Sequence, residues 1–422
     1  MTERMKKIAV IGGGISGLVA AYYLSRHRDV VLFEQGGALG GHTKTCQVLD
    51  GPDAPVPVDM GFIVFNDRTY PHFCAFLQEL GVSSASTDMT FAYYNLTKKT
   101  GYAGTGLNGL FANRKNILNI PYWLFLFGVW RFGYAVDFAY RNGRLKDLTL
   151  GEFWDGTNFS PRVLDEFVLP MVGAIWSAPD DSVMNFPMES FARFFANHGL
   201  LRWFNRPNWL YVPGGSSRYV QAFTERFPGT IRLKANVQAV RRLDSAIEVC
   251  WNGETEVFDA VVLATHADQS LRLLEQPSVL EEQLLGPWKY SKNRTILHSD
   301  TSVLPPRERN WASWISTMKD SRQEDAPVSV HYYMNRLQHL QADNSYVVSL
   351  NPDKAIAQHK VHHEELFEHP QYSMEAMHTQ EYLCSLNGKD RVWFCGAYQF
   401  NGFHEDGVRS ALRVVRDFGE EQ

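Results

Sequence analysis

Cysteine is sparse in this chain. Five occur in 422 residues, Cys46, Cys74, Cys250, Cys384 and Cys395, and no C-x-x-C pair is among them. An odd, scattered set excludes a disulfide framework and gives no zinc-site spacing. A reducing compartment, the cytoplasm, is the simplest expectation. Charge of one sign is also lacking: the net charge is −5, which speaks against a general nucleic-acid surface. There is no internal repeat, no long disordered tract and no uncharged apolar run of bilayer length. Hydrophobic residues make up 45% and charged residues 21%, ordinary for a globular protein with enough chain for two or three lobes.

What is present is concentrated near the start. Ile8-Ala9-Val10-Ile11 reads as a buried strand running into Gly12-Gly13-Gly14-Ile15-Ser16-Gly17, a G-x-G-x-x-G turn, and then a helix to Leu24. A second apolar run, Val30 to Phe33, ends on Glu34. Each part has a physical task. Gly12 makes the tight turn, Gly14 admits a pyrophosphate to the backbone, and Gly17 lets helix and strand pack closely. The helix N-terminus offers free N–H groups and its positive dipole end to phosphates. Glu34, about 20 residues past the turn, suits a ribose hydroxyl and favours NAD or FAD over NADP. Arg4, Lys6 and Lys7 before the apolar run imitate a signal peptide. Cleavage there would destroy the glycine turn, so the run is read as the first strand of the mature fold.

Glu34 is followed by Gln35-Gly36-Gly37-Ala38-Leu39-Gly40-Gly41-His42. This spacing resembles the E-x5-G-G-R signature of the FAD-dependent amine oxidase and phytoene desaturase superfamily, with His42 in place of the arginine. Further strings extend the resemblance along the chain. They are Val56 to Gly61 with Phe62 after it, Ala235 to Val240 around Val237, Phe258 to Thr265, and Val392 to Gly396. Gly402-Phe403-His404-Glu405-Asp406-Gly407-Val408 is similar to the family's last motif, where a helix start faces the flavin. The usual acid after Gly396 is Ala397 here. The resemblance implies an α/β fold: a Rossmann-like FAD-binding domain of glutathione-reductase type, with an inserted α+β substrate domain. It assigns residues 1–75, 205–270 and 385–422 to the FAD domain, and 76–204 and 271–384 to the substrate domain. It implies FAD contacts from Gly12, Gly14, Ile15, Ser16, Gly17, Glu34, Gln35, Gly40, Gly41, His42, Gly61, Phe62, Val237, Thr265, Gly396, Asp406, Gly407 and Val408. A covalent flavin link through Cys395 or His404 stays open.

Four strings look like a bacterial subgroup of predicted NAD/FAD-binding flavoproteins, often encoded beside cyclopropane-fatty-acid-synthase-like methyltransferases. They are Gly61 to Asn66, Phe194 to Leu201, Ala264 to Gln269, and Gly402 to Gly407. That resemblance implies a fatty-acyl or phospholipid substrate, desaturated by hydride transfer to flavin N5, and a methyltransferase as a partner. The alternatives are an amine or amino-acid oxidase, a redox-neutral double-bond isomerase, and a non-catalytic FAD-binding partner of the methyltransferase. No second G-x-G-x-x-G unit offers a nicotinamide site, so reoxidation falls to oxygen, a quinone or another carrier.

For chemistry, His404 is the candidate base, with Glu405 to orient it and Tyr398 in the same region. Asn66, Tyr70, Tyr332 and Asn335 are candidates for substrate contact. His359, His362, His363, Glu364 and Glu365 read as a solvated helix rather than a metal site. Helices are expected over Phe73–Leu80, Val163–Val172 with a break at Pro170, and Ser190–Phe195. Strands are expected over Val328–Met334 and Tyr346–Leu350. Residues 117–140 are unusually apolar and aromatic. Burial as a wall of the substrate cavity is the expectation. The alternative lays Trp123 and Trp130 in a membrane interface, at the inner face of the membrane, with basic pairs nearby.

Overall fold

A computed structural model describes residues 5–49, 54–176, 183–199, 201, 207–319 and 329–419. Arg4, Val328 and residue 200 within the string Phe194 to Leu201 lie outside them. The fold is α/β. Its centre is a five-stranded sheet of Lys7–Ile11 (β1), Asp29–Phe33 (β2), Thr230–Arg232 (β3), Ala260–Leu263 (β4) and Val392–Phe394 (β5). The order is β3-β2-β1-β4-β5, with every pairing parallel. Both faces are covered, which is why these strands are near-continuous apolar runs. Ile8 and Val10 point to one core and Ala9 and Ile11 to another.

The helices used below are Ile15–Leu24 (α1), Pro71–Glu79 (α2), Ile120–Arg141 (α3), Met188–Asn197 (α4), Ser217–Arg226 (α5) and His404–Asp417 (α6). α1 and α6 pack side by side on one face of the central sheet. α2 begins on Pro71 and ends before Gly81, whose φ of +67° supplies the left-handed stop.

A seven-stranded sheet gathers both aromatic-rich stretches. Its order is 361–371, 289–298, 347–350, 329–333, 314–318, 91–95 and 100–103. All its pairs are antiparallel except 314–318 with 91–95.

Three expectations are corrected. His362, His363, Glu364 and Glu365 belong to a strand, Val361–Gln371, and His359 to a short 3-10 turn before it. Cross-strand pairing decides this: Glu364 lies opposite Ile296 and Glu365 opposite Thr295 of the strand 289–298, whose Arg294 meets Glu364 at 2.7 Å. Pro170 does not break its helix. A π-turn over Leu164–Val168 runs straight into the helix Leu169–Trp176. Pro170 has no N–H to give the Glu166 carbonyl, and the Tyr102 hydroxyl donates to that carbonyl instead, at 2.9 Å.

The third correction concerns residues 117–140. α3 buries only one face, with Tyr122, Phe125, Phe132 and Val136 inside. The other face is apolar and open, with Leu124 63% and Tyr134 64% exposed.

The Tyr102 bond gives a test of the π-turn. Tyr102→Phe leaves the Glu166 carbonyl without its donor and should cost about 1–3 kcal/mol in denaturant unfolding. Unchanged stability would show that the hydroxyl is not what replaces the missing proline N–H.

Candidate cofactor and active site

The glycine turn is held by contacts that admit no side chain. Gly12 has φ +107°, and its N–H donates to the Phe33 carbonyl at 2.8 Å. A Cβ on Gly17 would lie 1.8 Å from the Gly12 oxygen. By contrast, a Cβ on Gly14 would meet nothing within 4 Å, so the backbone there stands open. Gly14 is the N-cap of α1 and supplies no side-chain acceptor to the first-turn amides, Ile15 and Ser16 among them. A Cβ on Gly407, at the start of α6, would come within 2.8 Å of Ile15 Cγ2 and 2.9 Å of Ser16 Oγ. Two helix N-termini therefore converge here, next to the buried Val408.

Glu34 ties the second loop to the first. Its Oε2 accepts from Gly13 N at 2.8 Å and its Oε1 from Gly36 N at 2.6 Å. A carboxylate keeps further lone pairs for ribose hydroxyls. Gln35 is exposed beside it. Gly40 N donates to Gly13 O at 2.8 Å, laying Gly40 and Gly41 along the turn. Lys234 and Ala235 donate to Gly36 O and Glu34 O, which sets the strand starting at Val237 next to the acid. Thr265 Cγ2 would be 3.2 Å from a Gly12 Cβ, and Gly396 N donates to Ser410 Oγ of α6 at 2.9 Å. An open glycine backbone, uncapped amides and a ribose-ready acid suit a dinucleotide pyrophosphate and its ribose.

His42 is half-buried against two more imidazoles, His266 at 6.4 Å and His369 at 5.4 Å between ring centroids. Burial, reinforced by His266, pulls its pKa down to about 4. Burial takes His369 down to about 3 and also lowers His266. His42 is therefore neutral at pH 7 and brings no positive charge to the position where the superfamily has arginine.

The three catalytic candidates do not form one constellation. His404 opens α6, fully buried, with its ring stacked on Phe62 at 3.5 Å. Its Nε2 meets Thr43 Oγ1 at 3.0 Å and the Tyr219 hydroxyl at 3.2 Å, and those two oxygens lie 2.5 Å apart. Burial pushes the His404 pKa well down, so it is a poor proton acceptor. Glu405 does not orient it. Its oxygens accept from His72 N and Phe73 N, capping α2. Tyr398 is buried against Trp288, 5.6 Å between rings.

The candidates for substrate contact also separate. Asn66 Oδ1 accepts from Arg68 N and Thr69 N in a tight turn. Asn335 spends both ends within the chain, donating to Asn344 O and accepting from Tyr346 N, each at 2.7 Å, and so is a loop clamp. Tyr332 packs edge-on to Trp314 in the seven-stranded sheet. Tyr70 alone of the four lines a cleft of about 420 Å³ that opens at the starts of α2 and α6 and the end of α4. Phe403 forms one wall, stacked on Phe194 at 4.7 Å, and His198, also lining the cleft, stacks on Phe194 at 3.8 Å and lies 5.9 Å from Phe403. Arg68 and Arg409 stand among the cleft's polar lining residues, with Glu405 and Asp406 between the helix starts. Burial lifts Glu405 to about 7 and Asp406 to about 6.

Residues that the sequence did not single out complete the site. Asp59 is fully buried and accepts from Thr45 Oγ1, Ser216 N, Ser216 Oγ and Gln338 Nε2. It caps α5 and ties it to the short strand Val56–Asp59 and to Gln338. Burial raises its pKa to about 7 despite these donors. The Val56-Pro57-Val58-Asp59 string marked a strand but not what its acid holds. Thr43 and Tyr219 carry no sequence signal for their meeting with His404.

The neutral imidazoles predict an acid response. The folded pKa of His42 lies below its ordinary value of 6.5. Its contribution is full above 6.5 and is lost as pH falls towards about 4, because the unfolded chain takes up a proton that the folded one refuses. Asp59 has the opposite sign in the same window, so the variant must be compared with the parent. His42→Asn should narrow the fall in thermal midpoint between about pH 7 and about pH 5. An equal fall in both proteins would place the acid response elsewhere.

The sequence profile described as flavin containing amine oxidoreductase matches residues 15–301. A stretch of 58 residues is 38% identical to protoporphyrinogen oxidase of Saccharomyces cerevisiae, covering 13% of this chain and 11% of that protein. The match thus spans only about a tenth of that relative's length. Solved structures are similar over almost the whole chain. A putrescine oxidase bound to putrescine has TM-score 0.69 at 14% identity, covering 98% of each chain. Cyclohexylamine oxidase from Brevibacterium oxydans has the same TM-score, identity and coverage. A CLA-producing fatty acid isomerase from P. acnes has TM-score 0.68 at 14% identity, covering 99% of this chain and 100% of that one. At such identities the likeness is one of fold. The profile match, by contrast, runs from α1 over about two thirds of the chain, as far as residue 301, and the chain belongs to the flavin-containing amine oxidoreductase family, with FAD as its cofactor.

Proposed function

We propose that this FAD oxidoreductase desaturates an unsaturated or methylated fatty-acyl chain, free or held in a phospholipid. The observation that carries the reading is the composition of the cleft at the start of α6. Tyr70, His198 and Phe403 give it an aromatic wall, with Phe194 stacked behind Phe403, while Arg68 and Arg409 give it cations. An apolar chain with an anionic head matches that pairing. An ammonium substrate does not: Glu405 is bound to two backbone amides, and Asp406 accepts from Phe403 N and faces Arg409. The aromatic stack excludes water from whatever lies along it.

Desaturation removes one hydride and one proton from neighbouring carbons, and FAD, when bound, supplies the hydride acceptor at N5. A double bond already present lowers the barrier by activating an allylic C–H. Both groups are buried and hydrogen-bonded, but Glu405 lines the cleft and is lifted to about 7 while burial holds His404 well below its ordinary value, so Glu405 is the better proton acceptor. Rates should therefore rise with pH through about 7, as the Glu405 carboxyl loses its proton. Glu405→Gln should lower kcat by roughly 100-fold and flatten that rise. A retained pH rise in the variant would remove Glu405 from the proton transfer.

The decisive test is anaerobic loss of visible flavin absorbance. The holoenzyme is mixed separately with phospholipids bearing cis-monounsaturated or methyl-branched unsaturated chains, and with a panel of amines. Bleaching by the lipids, with a new double bond in the product, is the expected result. Bleaching by amines alone would overturn the acyl-chain reading. Full-length similarity in fold to a fatty acid isomerase supports one second reading, redox-neutral movement of a double bond. It would appear as a shifted double bond with no lasting bleaching and no external acceptor consumed.

A further inference from the structure

α3 presents a surface that the acyl-chain reading does not use. Ile120, Trp123, Leu124, Phe127, Trp130 and Tyr134 recur every three or four residues and share its outer face. Phe127, Trp130 and Tyr134 form a stacked ladder, with centroids 5.6 Å and 6.1 Å apart. The Trp123 indole N–H is already satisfied by the Ile117 carbonyl at 2.9 Å, so its ring can enter an apolar phase without an orphan donor. The stripe continues onto Leu118, which is 90% exposed.

Charge selects what covers this face. Between residues 107 and 146 the only acid is Asp137, which pairs with Arg141 at 3.2 Å. Arg114 and Lys115 lie exposed before the helix, Arg131 along it, and Arg144 and Lys146 beyond it. The Arg144 guanidinium rests 5.5 Å from the Phe138 ring. A second copy of the chain would set these cations against one another. An anionic lipid surface would neutralise them while taking up the apolar stripe. Among the described residues no helix is long and apolar enough to cross a membrane, so α3 would lie along the surface.

We infer that the outer face of α3 docks the protein on an anionic phospholipid bilayer, with Leu124, Phe127 and Trp130 in the acyl boundary and Arg131, Arg144 and Lys146 at the headgroups. Docking requires no turnover, so its failure leaves the acyl-chain reading standing, and the converse holds.

The test is flotation of the holoenzyme with vesicles of phosphatidylcholine, alone or mixed with phosphatidylglycerol. Binding is expected to the mixed vesicles, and it should weaken as salt rises. Leu124→Ser with Phe127→Ser should reduce it at least roughly tenfold while flavin content stays the same. Arg144→Glu with Lys146→Glu should also reduce it at least roughly tenfold and blunt its salt dependence. Brominated acyl chains should quench tryptophan fluorescence in the parent, and less so in Trp123→Phe with Trp130→Phe. Two results would overturn the proposal. One is no flotation with the mixed vesicles. The other is a parent dimer that the serine substitutions convert to monomer while vesicle binding is unaffected.

Discussion

The fold depends on one steric constraint: the oxygen of Gly12 occupies the space where a side chain on Gly17 would begin. That contact seats α1 directly on the end of β1 and aims its bare first-turn amides across the sheet edge. Everything around the cofactor position follows from this seat. Glu34 reaches Gly13 because β2 ends level with the turn. Gly40 bonds the same loop from the other side. α6 can come up against Ile15 and Ser16 only because position 407 is also glycine. The cradle is thus built by omitting atoms, and the nearby side chains are placed relative to those omissions.

The polar interior obeys a different rule. Asp59, Glu405 and His404, all buried near the site, are held chiefly by hydrogen bonds, while the buried Asp406 also faces a cation, Arg409. Asp59 takes hydroxyls, an amide and a backbone N–H. Glu405 takes two backbone amides of α2. His404 takes two hydroxyls. Burial then drives each group towards its neutral form, acids upward and imidazoles downward. Such a site has low fixed charge, apart from the Arg68 and Arg409 cations of the cleft.

Legibility in the sequence tracked locality. The strand, glycine turn, helix and Glu34 form a continuous segment whose contacts are mostly internal, so residue type and spacing describe it well. α2 was legible for the same reason, through its apolar spacing and its glycine stop. The strand 361–371 was not. Its histidines and glutamates have no strand preference of their own, and the partner that organises them lies near residues 289–298. Glu405 looked like a companion of its sequence neighbour His404. In space its partners are amides of another helix, which no local pattern encodes. For residues 117–140 the sequence disclosed how apolar the segment is. Which face would be covered is a property of the surrounding lobe.

The seven-stranded sheet has a consequence for how the molecule is made. Among the described residues, its hairpin 91–103 joins the sheet through strand 314–318, more than two hundred residues later in the chain. The central sheet likewise waits for β5, which lies close to the C-terminus. A nascent chain therefore exposes strand edges and aromatic surface through most of its synthesis, and neither sheet can close until nearly all of it has been made. Assembly of this protein is a late, concerted event, in which the same long-range pairings that shape the substrate lobe set the period of greatest vulnerability to aggregation.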